Sequence, residues 1–219
     1  MSAQPAQKPA GPGRPKDLGK RAAILEAAKR LFTAHGFDGA SMDQIAAEAG
    51  VSKLTVYSHF GDKESLFSAA VRAKCEEMLP SALFEADELK GSLREQLTAI
   101  AEAFFTLVTS TESLAMHRMM TIMPADADNH ARELFWQAGP QRVKDGFGEF
   151  LRHRIERGDL FIDDVPRAAA QFFCLLKGEL HTQLLCGLCT RPAKGEVRQH
   201  IAATVDLFLR AYGRPGPAA

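Results

Sequence analysis

The chain has 219 residues, 46% of them hydrophobic, and its 27 basic side chains are matched by 27 acidic ones. That is enough apolar material for a full core, which excludes a disordered or fibrous protein, while the balanced charge neither marks nor forbids a nucleic-acid partner. No apolar run reaches the roughly 18 residues of a membrane span and no export signal opens the sequence, so a soluble, cytoplasmic protein with no membrane partner is predicted. Cys75, Cys174, Cys186 and Cys189 follow no disulfide framework and are read as reduced thiols.

Charge is unevenly distributed. Lys8, Arg14, Lys16, Lys20, Arg21, Lys29 and Arg30 meet only Asp17 and Glu26 in the first thirty residues. Residues 1–19, rich in Pro, Ala and Gly, are predicted to form a flexible basic tail. From Lys20, a stripe at three-and-four spacing (Ile24, Leu25, Ala28, Leu31, Phe32) predicts a first helix closed by Gly36. Ser41 followed by Gln44 is a capping box for a short second helix to Ala49. Gly50, Val51 and Ser52 make a turn, and a third helix spans Lys53 to Phe60. Asp62 then caps a fourth helix, with Leu66, Phe67, Ala70 and Val71 on its buried stripe, ending at Pro80.

Helical periodicity continues through Leu93–Val108, Leu114–Met123 and Val143–Ile155 without strand-type alternation. The segment from Pro166 to Leu188 is apolar nearly all round, which predicts burial on more than one side, and a last helix runs from Val197 to Tyr212. Two such C-terminal helices predict a homodimer through the last two helices about a two-fold axis. The fold class is therefore all-α, with about nine helices. Its predicted divisions are the tail, a helix-turn-helix domain at 20–66, a larger helical domain at 67–213 joined through the fourth helix, and a C-terminal tail at 214–219.

Residues 41 to 60 carry the functional signal. Ala46 is small enough for two helices to cross, Gly50 makes the turn, and Ile45, Val51 and Val56 can form a small core. Lys53, Thr55, Tyr57, Ser58 and His59 leave the third helix with a donor-bearing face and no wide apolar stripe, as a helix entering a major groove requires. An ordinary helical hairpin is the alternative for the Ala-x-x-x-Gly spacing alone. The wider block, with Ile-Ala-x-x-Ala-Gly-Val-Ser and Thr-Val-Tyr-x-His-Phe-x-x-Lys-Glu-x-Leu-Phe ending at Phe67, resembles the TetR family of bacterial regulators.

The resemblance implies a dimer on double-stranded DNA with a palindromic operator, commonly a repressor, released by a small-molecule effector. It implies a phosphate contact from Ser41, base-edge positions at Lys53, Leu54 and Thr55 behind the Ser52 cap, and backbone clamps at Tyr57, His59 and Lys63. Met42 occupies a place where some relatives read a base with a charged side chain. Gly13-Arg14-Pro15-Lys16 is read either as a minor-groove arm or as a solvated tail.

For the effector, Phe104, Met116, His117, Met120, Phe147, Phe150 and His181 are the candidate pocket residues, since thioethers adapt, rings stack and imidazoles orient a ligand. Core packing is the alternative for each. Cys186-x-x-Cys189 lacks the second ligand pair of a closed zinc site, and no metal or cofactor is predicted. Repeated Glu-x-x-His segments, a nucleophile elbow and a phosphate-binding Gly loop are all missing from the sequence, so no catalytic residue is assigned and an enzyme is not expected. The remaining alternatives are a helical protein–protein adaptor and a regulator that needs its ligand as co-repressor.

Overall fold

A computed structural model describes residues 17–85, 90–122 and 130–213. The tail segment Gly13–Lys16, the C-terminal 214–219 and Met123 lie outside the described residues. Ten α-helices occur within them: α1 (Leu18–Gly39), α2 (Met42–Glu48), α3 (Lys53–Phe60), α4 (Lys63–Met78), α5 (Leu93–Val108), α6 (Thr111–Ile122), α7 (His130–Trp136), α8 (Arg142–Glu156), α9 (Val165–Leu185) and α10 (Lys194–Tyr212). A π turn over Gln137–Gln141 joins α7 to α8 without leaving helical angles, so the two form one rod and the architecture has nine helical rods. Pro140 lies inside that turn and has no N–H to give, which is why the hydrogen-bond register widens there.

Most helices start on a side chain built to accept their free N–H groups. Asp17, Ser52, Asp62 and Asp164 cap α1, α3, α4 and α9, while Ser41–Gln44 and Ser92–Glu95 form reciprocal capping boxes at α2 and α5. Gly36 has the positive φ (75°) expected of a helix terminator, and the continuation to Gly39 lies beyond that break.

Two hydrophobic clusters form. In the first, Ile24, Phe32, Ile45, Val56, Leu66 and Phe67 hold α1 to α4 together, with Phe67 meeting Phe32 and Phe37 edge-on at 5.0 and 5.2 Å. Met116 of α6 and Ala138 of the π turn pack into the same cluster. The second is a larger aromatic core of α5, α8, α9 and α10, centred on Phe147, Phe150, Phe172 and Phe208. Arg154 is buried at its edge, bonded to Gln96 and lying over the Phe150 ring.

The α9 helix departs from the uniformly buried rod that its composition suggests. It kinks at Gly178 (φ 47°), where a Cβ would come within 2.9 Å of the His200 ring, and His200 Nε2 bonds the Leu176 carbonyl at 2.8 Å. His200 is thus half-buried and tied to α9. One side of α9 is also open, with Gln171, Leu175, Thr182 and Cys186 exposed. No helix among the described residues is long and apolar enough to cross a membrane.

Candidate nucleic-acid interface and ligand cavity

The turn between α2 and α3 is set by Gly50, whose φ of 66° lets the Val51 N–H reach back to the Ala46 carbonyl at 3.0 Å. Ile45 and Val56 are fully buried and Ala46 nearly so, fixing the crossing of the two helices. What remains outside is polar. Ser52 Oγ accepts from the Thr55 N–H and lies 2.8 Å from Thr55 Oγ1, which pre-orders the first turn of α3. Leu54 is 78% exposed and Tyr57 41%, so the apolar and phenolic side chains here project from the protein and do not pack into it.

The sequence-assigned contact residues gather around this one face with differing freedom. Lys53 Nζ is held by Asp43 at 2.9 Å, and that hydrogen bond and charge raise the Lys53 pKa. Lys63 leans over the Phe37 ring at 4.6 Å and points a weak donor at the Asp38 carbonyl, 3.4 Å away, so its ammonium is positioned at the end of α1. Ser41 is committed to its capping box, leaving its hydroxyl exposed at the N-terminus of α2. The His59 ring is half-buried beside Phe60, with Nδ1 buried and without a hydrogen-bond partner. Met42 is 6% exposed and belongs to the core, so it is not available to read a base. Phe60 is half-buried, with the Arg21 guanidinium 4.9 Å above its ring.

Behind this face lies a cavity of about 620 Å³ walled by α1, α4, α5, α6, α8 and α9 together with Phe135 and Trp136 of α7. Of the sequence candidates, Phe104, Met116 and His117 line it. Phe147 and Phe150 are instead fully buried in the aromatic core, and His181 is buried behind His117, with their rings edge-to-face at 5.5 Å. Met120 is half-buried and packs against the α1–α4 cluster.

Residues that the sequence does not mark as pocket candidates also line it, among them Phe173, Cys174, Lys177, Lys74 and Lys144. Phe173, Lys177 and His181 are spaced by four, so a one-face helical reading of α9 carried that signal, but the dense apolar composition of the segment masked it.

Electrostatically the wall is unusual. Burial, followed by the Lys177 charge, lowers the His117 pKa, and burial with the His117 and Lys177 charges pushes His181 down to about 4. Both imidazoles are therefore neutral at neutral pH, and His117 Nδ1 and His181 Nε2 are buried without hydrogen-bond partners. Burial pushes the Cys75 thiol up to about 11, which keeps this wall residue unreactive. Among the described residues no three His, Cys, Asp or Glu side chains come together as a metal site.

The cavity is mechanically connected to the first cluster. On α6, Met116 and His117 face the cavity, Arg118 donates to the Leu184 and Leu185 carbonyls at the end of α9 (2.6 and 2.8 Å), and Met119 packs on Gly36.

Residues 24–70 match the family model for the N-terminal domain of bacterial regulatory proteins of the tetR family, and residues 95–214 match that of the C-terminal domain of AefR-like transcriptional repressors. A transcriptional repressor of Corynebacterium diphtheriae, AcnR, is 39% identical over 202 residues, covering 91% of this chain and 94% of its own. A TetR-family transcriptional regulator of Mesorhizobium loti superposes with a TM-score of 0.71 at 27% identity, over 89% of this chain and 97% of that one. The flavonoid-responsive regulator FrrA superposes with a TM-score of 0.68 at 30% identity, over 90% and 98%.

Proposed function

The chain belongs to the TetR family of bacterial transcription regulators, and from that premise we propose that it is a dimeric repressor of a palindromic operator, released when a small molecule fills the cavity. The observation that carries this reading is the pairing, in one molecule, of an exposed donor-bearing α3 with a cavity whose walls include α1 and α4, the helices that hold α3.

In the DNA-bound state, Lys53 exchanges Asp43 for a guanine edge and Leu54 meets a thymine methyl, while Thr55 lies alongside. Tyr57, His59 and Lys63, with the Ser41 hydroxyl at the start of α2, donate to phosphates on either side and set the register. The exchange costs little, because the ion pair is exposed and screened by water. A ligand between α1, α4 and α6 then changes the angle at which α3 is presented, and both half-sites are no longer engaged together. The cavity's ring-lined, mostly apolar wall fits an effector with an apolar body, and the relative named for its response to flavonoids supports that chemistry.

Selection of random duplex DNA by the purified protein, followed by titration of the enriched site at two salt concentrations, tests the reading. A palindromic site with affinity falling steeply in salt is the expected result. Absence of any enriched site, with the protein folded and with extracts of candidate effectors present as well as absent, would overturn it.

A further inference from the structure

We propose that the cavity selects effectors with an anionic head on an apolar body, the head being received by Lys177 beside the His117 imidazole; this rests on the cavity being the effector site. Three of the cations at the wall already hold carboxylate partners. Lys29 is paired with Glu26, Arg30 with Glu48, and Lys74 with Glu112. Lys144 and Lys177, in contrast, have no carboxylate within 4.0 Å among the described residues. The wall thus carries two ammonium groups without a carboxylate partner against a single carboxylate in excess, since Glu26 and Glu77 share Lys29.

Lys177 is the better placed of the two. It is half-buried on α9, one turn from Phe173, and close enough to His117 and His181 for its charge to disfavour protonation of both. A cation beside two neutral imidazoles, one of them at a cavity-lining position, is an arrangement that an anion completes and a cation would oppose. The rest of the wall supplies rings: Phe104, Phe135 and Phe173 come from α5, α7 and α9, whereas Phe32 and Phe67 belong to α1 and α4. A long apolar body anchored by its head at α9 therefore extends toward the helices that carry α3.

The test uses two acids of different shape, dodecanoate and 4-biphenylcarboxylate, each beside its own methyl ester, titrated calorimetrically into the full-length protein. Each acid is expected to bind about tenfold tighter than its ester, as a charge-assisted hydrogen bond provides. Lys177→Met is expected to lower acid affinity to the ester's level while leaving the ester unchanged, and His117→Phe to erase part of the preference. Acid and ester binding alike in the wild type, or full acid preference surviving in Lys177→Met, overturns the head-group assignment.

Ala170→Trp and Ser113→Trp, two independent cavity-filling variants checked by thermal melting, separate this from failure of the cavity itself. If esters bind and either folded filling variant abolishes that binding, the cavity stands and only the anion preference is at stake. Binding that survives both fillings, or no binding of any probe to the wild type, removes the cavity as the site and the proposal with it.

Discussion

Asp43 and Lys53 show how much of the DNA-facing chemistry is held in reserve. Their pair is exposed and spans the two helices of the motif, so it contributes little to stability but places a carboxylate on the face proposed to approach phosphate. Asp43→Asn frees Lys53 and removes one like-charge clash with the DNA backbone. Operator affinity is expected to rise roughly three- to tenfold at low salt and to converge with the wild type as salt screens the difference. Fluorescence anisotropy at about 50 and about 200 mM salt measures this, and unchanged affinity at both would mean that Lys53 does not enter the groove.

Lys63→Ala and Tyr57→Phe probe the clamps. Both are expected to weaken binding to all operator variants alike, Lys63→Ala lowering the salt slope by about one, with the fold retained. A change confined to one base position would contradict a phosphate role. The helix-turn-helix that presents this face is legible in the sequence because it is local: a capping box, one turn glycine and a donor-bearing helix all lie within twenty residues. Met42 was less legible, because only packing shows that its thioether is buried against α1 and not presented to the groove.

Among the elements, α6 links the two halves of the molecule, and its two ends allow separate tests. Gly36 combines a φ of 75° with a would-be Cβ only 2.5 Å from Met119 Sδ. Gly36→Ala is expected to cost about 1–3 kcal/mol in urea unfolding. Adding Met119→Ala should recover the steric part and leave the backbone part, a non-additivity that a double-mutant cycle reads directly.

At the α6–α9 contact the expectation is a pH dependence. The His181 pKa in the folded protein, about 4, lies below the free imidazole's 6.5, so above that value both states are neutral and nothing is lost. As pH falls below 6.5 the unfolded chain takes up a proton that the folded one refuses, and stability declines until the folded pKa is passed. About 2 kcal/mol should disappear between pH 7.5 and 5, and His181→Gln should flatten that part of the profile. An equally steep profile in the variant would place the titration elsewhere. This contact also shows where sequence reading stops. The periodicity of α9 predicted burial but not its kink at Gly178. The bounds of α7 and the π turn are not legible from periodicity because Pro140 interrupts the usual helical signal, and sorting rings into core (Phe147, Phe150) and cavity (Phe104, Phe173) requires the packing of helices distant in sequence.

At the scale of the whole molecule, the proposed dimer would use the open side of α9 and α10 to make two copies of α3 act together. Leu175 on α9 and Leu207 on α10 are 40% and 47% exposed, and around them lie the exposed small side chains Thr182, Ala203 and Ala211. Alternating small and branched residues on two adjacent helices allow a close approach of the same two helices from a second copy, and a two-fold axis makes that surface meet itself. A glutamate at such a position therefore faces its own symmetry mate as well as losing apolar burial. Leu175→Glu combined with Leu207→Glu is expected to yield a folded monomer by sedimentation, because neither side chain belongs to the core of its own subunit. The monomer retains one α3, so it should still bind DNA weakly and with a shallower salt slope. Operator affinity, however, should fall by about two to four orders of magnitude, since the second half-site no longer gains from an effective local concentration. Persistence of the dimer with full affinity would move the interface away from α9 and α10. A monomer with undiminished affinity would instead show that one α3 suffices, and the palindromic reading of the operator would fail with it.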